Sequence, residues 1–300
     1  MNLTNSAAQH SSQFCKRFQD EEFFKANFAS TLVFIILNTL SCPAIIVMNA
    51  LVIAAVKKRR RLQSMYNILL ACLAITDLIV GTITQPTFIA AEIFVISNGS
   101  VATYCIIKDI TIVLFQITIV VSLSHLVFIS AERYIAMKYA LRYHELVTKR
   151  RLVTAVISSW CLVGFLSVIE ELRTILAYPV IFTLLIITYC HVTVYFITRR
   201  HQKQIKTEQM SGEAASKFLK EKKAWQTTSI IIGFLFLSFL PAMIFILVRD
   251  GLDSDTRHIL RYIFTFFLML NSLCNPIIYC WRSKEIREAI IALVRGENQN

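Results

Sequence analysis

Seven stretches of this chain run for 20 or more residues with few charges, and no other feature constrains the fold as tightly. They cover residues 29–56, 66–96, 103–136, 151–170, 174–200, 222–249 and 257–281. A helix crossing the hydrocarbon core of a bilayer needs about 20 mostly apolar residues. Inside lipid every backbone N–H and C=O must be bonded within the protein, so an apolar run of that length spans as a helix. The chain therefore reads as an all-α membrane protein, a seven-transmembrane helix bundle. Composition agrees: 56% of the 300 residues are hydrophobic and only 17% are charged. Soluble domains hold about 45–50% and about 25%. Gly and Pro are few, at 7 and 5, which argues against a loop-rich fold.

The net charge is +12, a balance that in a soluble chain would suggest nucleic acid. Placement excludes that partner. The cations stand in bursts between apolar runs, as in cytoplasmic loops of membrane proteins. Lys57-Lys58-Arg59-Arg60-Arg61 opens the series, and 23 of the 31 Lys and Arg fall on one side of the spans. That side is expected to be the cytoplasm, so the N-terminus is extracellular and the C-terminus cytoplasmic. Residues 1–28 are polar and mixed, so no cleavable leader is expected and the first run targets itself. The expected organisation is an extracellular tail over 1–28, a seven-span membrane domain over 29–281 and a cytoplasmic end over 282–300. In the last segment Ile286, Ala289, Ile290 and Leu293 recur at helical spacing. Residues 284–294 are too few to span and predict a short amphipathic helix lying on membrane lipid. Asn2-Leu3-Thr4 and Asn98-Gly99-Ser100 are glycosylation candidates, which would make the chain a glycoprotein; both lie on the expected outside.

Polar residues inside spans carry the functional signal. An ionisable group there costs about 2.5–3.5 kcal/mol on insertion scales. Asp77 lies mid-span, and Asn49, Ser122, Asn271 and Asn275 lie at similar depth. Two readings stay open: separate helix-to-helix hydrogen bonds, or one cluster around Asp77 that holds a small cation or a proton. Pro241 and Pro276 sit inside the sixth and seventh runs. Each removes a backbone hydrogen bond, and the bend is either static or a pivot. Enzyme chemistry finds no support. The six histidines (10, 125, 144, 191, 201 and 258) are scattered, with no metal-ligand spacing and no nucleophile–base pair. A transporter would need a polar path or broken helices in paired repeats. The polar residues are expected to gather in the inner half and to stop there.

The runs also carry recognisable motifs. The third ends in Glu132-Arg133-Tyr134 and the seventh in Asn275-Pro276-Ile277-Ile278-Tyr279. The second contains Leu73-Ala74-Ile75-Thr76-Asp77 and the fourth contains Trp160. In this order and at these depths they resemble the rhodopsin-like (class A) G-protein-coupled receptors over residues 29–294. The inner loops are most similar to melanocortin receptors, through Tyr139-Ala140-Leu141-Arg142-Tyr143-His144, Thr148, Arg150-Arg151 and Arg282-Ser283-Lys284-Glu285-Ile286-Arg287. The loop after the fourth run is very short, and Pro179 lies earlier than the usual central proline of the fifth. The chain also departs from its resemblances. Thr87, Lys108 and Ile112 stand where melanocortin receptors place the acids that hold a basic peptide. Phe115 replaces the aminergic aspartate, Met269 the retinal lysine and Phe239 the toggle tryptophan. The usual disulfide to the second outer loop cannot form, because that loop has no cysteine. Cys15 and Cys105 are the candidates for a pair, the alternative being two free thiols.

The resemblance implies a plasma-membrane receptor that binds an extracellular ligand and activates a heterotrimeric G protein. Arg133 would cap the inner end of the third span between Glu132 and Glu221, unless Glu221 is a solvated loop charge. Activation would swing the sixth span outward about Pro241 and let Tyr189 and Tyr279 into the gap. Asn275 and Pro276 would transmit the movement, with Tyr134 beside Arg133 and Leu141 as an apolar contact for the Gα subunit. Asp77, Ser122, Asn271 and Asn275 match the family's allosteric sodium site; no other cofactor is implied. Candidate ligand-lining residues are Gln85, Phe115, Gln116, Ile119, Phe239, Met243, Ile246, Tyr262 and Thr265, which could equally be packing residues. The ligand would be a small molecule, a lipid-like molecule or a short peptide. Glu92, Asp109, Glu170 and Glu171 are expected on the rim with Lys108, Arg249, Arg257 and Arg261. Competing readings are a receptor fold with high basal activity, a homo- or heterodimer partner, and a transporter.

Overall fold

The structure is a computed structural model and describes residues 21–97, 101–169, 178–208 and 212–296. Seven of its helices are long and apolar enough to cross a membrane, and the described residues contain helices and turns but no strand. The first helix is Glu21–Lys58, and the lysines at its end complement the helix dipole. The second span is two helices, Met65–Ile79 and Gln85–Ile96, joined by a π-helical turn at Val80–Thr84. The third is Val101–Lys138, the fourth Lys149–Val168, the fifth Tyr178–Glu208, the sixth Gly212–Val248 and the seventh Ser254–Arg282. The surface helix, Lys284–Val294, spans the residues its periodicity predicts and buries Ile286, Ala289, Ile290 and Ala292.

Helix ends depart from the hydropathy reading in a consistent way. The first helix begins before residue 29 and the sixth begins ten residues before 222. The fifth runs past 200 to Glu208. The extra turns are charged: Lys220, Glu221, Lys222 and Lys223 continue the sixth helix beyond its apolar part. Hydropathy marks where lipid ends. Backbone hydrogen bonds do not stop there, and Lys, Glu and Gln are good helix formers. Local caps fix several starts. Ser64, Thr148, Asp253 and Ser283 each accept an N–H from three residues on, at 3.3, 3.4, 2.9 and 3.3 Å.

The π turn follows from Pro86, which has no N–H to return to the preceding turn. It also brings the first and second spans together. A Cβ on Gly81 would lie 3.0 Å from side-chain carbons of both Ile45 and Ile46. The Cys42 thiol donates to the Gly81 carbonyl, S to O 2.9 Å. The core is formed by inward faces of the spans, with Leu69, Leu73, Leu123, Leu126, Ile129, Ile187, Ile231 and Leu235 almost wholly enclosed. Large apolar side chains on the outward faces stay exposed, among them Phe165, Leu237 and Leu247. In lipid that arrangement carries no penalty, because the surroundings are as apolar as the core.

Candidate functional site

The inner end of the bundle centres on Arg133, which is 4% exposed. Its guanidinium donates through Nε and Nη2 to the two Glu132 oxygens, each at 2.5 Å. Nη1 donates to Glu221 Oε2 at 2.6 Å, across 88 positions of sequence. Planar two-pronged pairing of this kind is the strong form of a charge-assisted hydrogen bond. Glu221 is therefore no freely solvated charge, although its side chain keeps 29% of its surface exposed. Two residues to which sequence reading gave no role complete the site. The Tyr66 ring lies under the guanidinium, 4.4 Å from its carbon. The Tyr66 hydroxyl is 3.2 Å from Thr228 Oγ1 and donates to the Ala224 carbonyl at 3.4 Å. Tyr143, from the single helical turn Tyr143–Leu146, donates its hydroxyl to Glu132 Oε1 at 2.5 Å. Burial and the adjoining Glu132 charge push the Tyr143 phenol well above its ordinary pKa, so it remains a donor. Tyr66 carried no sequence signal; Tyr143 was visible only as part of an inner-loop motif.

Other residues of the inner end are spread more widely. Tyr189 is mostly exposed, and its ring centroid is 6.5 Å from that of Tyr134, whose hydroxyl accepts from Lys138. Tyr279 is fully buried in the core and its hydroxyl has no partner. Leu141 is fully exposed on the inner loop. Pro241 and Pro276 lie inside their helices.

At mid-depth one cavity of about 30 Å³ brings together Asp77, Ser122, Asn271 and Asn275. Asp77 is 1% exposed and accepts from Asn275 Nδ2 at 2.9 Å, and Ser272, a buried residue of the same cavity wall, was missed by sequence reading. The Oδ1 atoms of Asn271 and Asn275 are buried without a partner. Asn49 does not join them; it donates to the Ser272 carbonyl at 3.0 Å and ties the first span to the seventh. Among the described residues no three His, Cys, Asp or Glu side chains gather. One carboxylate with amide and hydroxyl oxygens is a donor set for a hard monovalent cation rather than a transition metal.

The candidate ligand-lining residues divide. Phe115, Ile119 and Phe239 line the same cavity as Asp77. Met243 packs on the core, Gln116 and Thr265 are half-buried, and Ile246 is exposed. Gln85 and Tyr262 turn away from the cavity. Gln85 is fully buried against the first span, donating to Asn38 Oδ1 at 3.0 Å and Ser41 Oγ at 3.1 Å. Tyr262 donates to Glu92 at 2.6 Å, lies 3.2 Å from Thr31 Oγ1 and stacks on Phe34. Glu92 is consequently buried rather than on the rim. The expectation that polar groups end in the inner half is corrected by these pairs. They continue along the first, second and seventh spans, but as interhelical hydrogen bonds rather than the lining of a path. Lys108 donates to Tyr104 at 2.9 Å. Arg249 lies 3.7 Å from Asp250, and Arg257 donates to the Leu252 carbonyl. Cys105 is disulfide-bonded, while six other cysteines are free. Cys15, Asn2, Asn98, Glu170 and Glu171 lie outside the described residues.

Seven membrane-length helices enclosing a buried arginine–carboxylate cluster at one end and a polar cavity at mid-depth define a seven-span receptor. The family model described as 7 transmembrane receptor (rhodopsin family) matches residues 48–174 and 172–279, and the chain belongs to that family. It is accordingly a multi-pass membrane receptor of a family whose members signal through G proteins, and not a member of an enzyme family.

Proposed function

We propose that the chain binds an extracellular ligand in the outer half of the bundle and activates a heterotrimeric G protein by outward movement of the sixth span. The observation that carries this is the Arg133–Glu221 pair, which holds the third and sixth spans together at one end. The pair is a resting-state lock. When the sixth span swings out about Pro241, Glu221 leaves and Arg133 is freed. Tyr279 and Tyr189 then fill the gap, and the opened cleft takes a Gα helix against Leu141. A ligand shifts this equilibrium only by its differential affinity for the closed and open states.

The residues around Asp77 fit a sodium ion. Asp77, Ser122, Asn271 and Asn275 would hold it, and its charge would neutralise the carboxylate and favour the resting state. The proposed topology has residues 1–28 outside, 29–281 in the membrane and 282–300 in the cytoplasm. The 23 cations on one side support it. The inner-loop similarity to melanocortin receptors concerns the G-protein face, whereas Thr87, Lys108 and Ile112 argue against their basic peptide as ligand.

The test is basal nucleotide exchange on a panel of Gα subunits, with wild type, Glu221→Ala and Glu221→Ala/Arg133→Ala at equal surface amounts. Glu221→Ala is expected to raise exchange several-fold on one subunit, and the double change to remove it. Exchange at the level of empty membranes for all three on every subunit defeats the lock.

A further inference from the structure

The sixth span meets the fifth on a face that the Arg133 cluster does not use. Ala224 and Thr228, one turn apart, face Tyr66 of the second span. Trp225 and Ser229 stand one residue further on, about 100° round the helix, and meet His191 of the fifth span. The His191 and Trp225 rings are 6.4 Å apart between centroids and 24° from parallel, and His191 Nδ1 is 3.2 Å from Ser229 Oγ. The Tyr195 ring closes the group, 6.3 Å from that of Trp225.

Hydrogen-bond direction fixes the tautomer. Ser229 Oγ donates its one hydrogen to the Trp225 carbonyl at 3.0 Å, so towards His191 it can only accept. His191 Nδ1 therefore carries the ring hydrogen. An apolar span tolerates the neutral imidazole rather than the charged one, and in this tautomer Nε2 is a bare acceptor. That Nε2 is buried without a partner, and so is Trp225 Nε1, whose N–H can only donate. One unpaired acceptor and one unpaired donor thus stand on neighbouring rings of two different spans. Each is costly to leave unpaired away from water, and each is what the other lacks.

We propose that His191 and Trp225 are positioning residues for the open state: as the sixth span swings out, the Trp225 N–H bonds to His191 Nε2. The inference rests on the receptor reading above and adds a contact that favours opening, where the Arg133–Glu221 pair favours closure. A slide of less than one helical turn, about 5.4 Å, suffices to bring the two ring edges together. The closed state is then held by one pair and burdened by another, which is how a two-state element is kept near balance.

The experiment follows the indole N–H directly. Full-length protein in lipid nanodiscs carries 15N-labelled tryptophan, of which the chain has three, and Trp225→Phe identifies the Trp225 resonance by removing it. The resonance should be that of a free N–H in the wild type and move downfield in Glu221→Ala. In the Glu221→Ala background, Trp225→3-benzothienylalanine keeps the ring's size and loses only the N–H. It should lower nucleotide exchange roughly fivefold, the worth of one hydrogen bond. His191→Asn keeps the donor to Ser229, loses the acceptor and should lower exchange equally, with no further loss when the two changes are combined. In the wild-type background the benzothienyl variant should leave the thermal midpoint unlowered, whereas a merely structural ring contact would add its losses and lower the midpoint. An indole already hydrogen-bonded in the wild type, unchanged exchange, or losses that multiply overturns the proposal. Spin labels at Leu146→Cys and Lys222→Cys report opening in Glu221→Ala on the same preparations. Opening with an unmoved indole resonance defeats the bond alone, and no opening defeats the lock and the bond together.

Discussion

At the scale of single residues, Arg133 matters because its partners come from different elements. Glu132 is its neighbour, Glu221 comes from the sixth span and Tyr66 from the second. Tyr66 is the least obvious of these, because its hydroxyl binds the sixth span at Thr228 while its face supports the guanidinium. Tyr66→Phe keeps the face and loses the hydroxyl. A hydrogen bond of this kind contributes about 1 kcal/mol net, or roughly a fivefold change in a two-state equilibrium. The expected result is a severalfold rise in basal nucleotide exchange with expression unchanged. Exchange at the wild-type level would mean that Tyr66 does not bias the sixth span. Tyr143 acts on the other side of Glu132 and makes the inner loop part of the same cluster.

At the scale of elements, the seventh helix shows how a local cap becomes a pH response. Asp253 accepts the Thr256 N–H at the start of that helix. Those hydrogen bonds hold its carboxyl below the ordinary carboxylate range. A pKa lowered by folding means that the cap is fully present above the unfolded value, about 3.9. It is lost as pH falls below that and through the lowered value. Amide exchange in the first turn, Ser254–His258, should therefore accelerate as pH falls through this window, after correction for intrinsic rates. In Asp253→Asn the acceptor remains and the pH step should vanish. A step that persists in that variant belongs to another group. The second span carries a comparable local device. Pro86 forces the π turn, and the turn sets Gly81 against Ile45 and Ile46.

At the scale of the whole molecule, polar pairs run the length of the bundle between the first, second and seventh spans. Gln85 meets Asn38 and Ser41, Tyr262 meets Glu92 and Thr31, and Asn49 meets the seventh-span backbone. The sixth span is tied mainly at its inner end, through Arg133, Tyr66 and the Arg282–Gln226 contact at 3.0 Å. The sixth span is thus expected to move as a lever against a fixed group of the other three. Spin labels at Leu146→Cys and Lys222→Cys should separate when a nucleotide-free G protein binds, by about 5 Å or more, one helical turn. A matching pair at Gln63→Cys and Lys284→Cys should not separate. Movement in the second pair alone would place the hinge elsewhere.

Much was legible along the chain because lipid simplifies the problem. Seven apolar runs determine seven helices, since no other backbone arrangement satisfies its own hydrogen bonds there. Ile286, Ala289 and Ile290 determine the surface helix by period, and the motifs around Asp77, Arg133 and Asn275 mark where polar groups enter the core. Only tertiary structure decided which of those groups meet. Glu221 lies among lysines, so the chain alone left both a partner of Arg133 and a solvated charge open, until the sixth helix continued past its apolar part and carried it to Arg133. Gln85, Tyr262 and Glu92 read as pocket or rim, yet the crossing of the first, second and seventh helices gives them to one another. The reason is physical: hydropathy and period report each segment against its solvent, whereas pairing depends on the rotation and depth of two helices packed together.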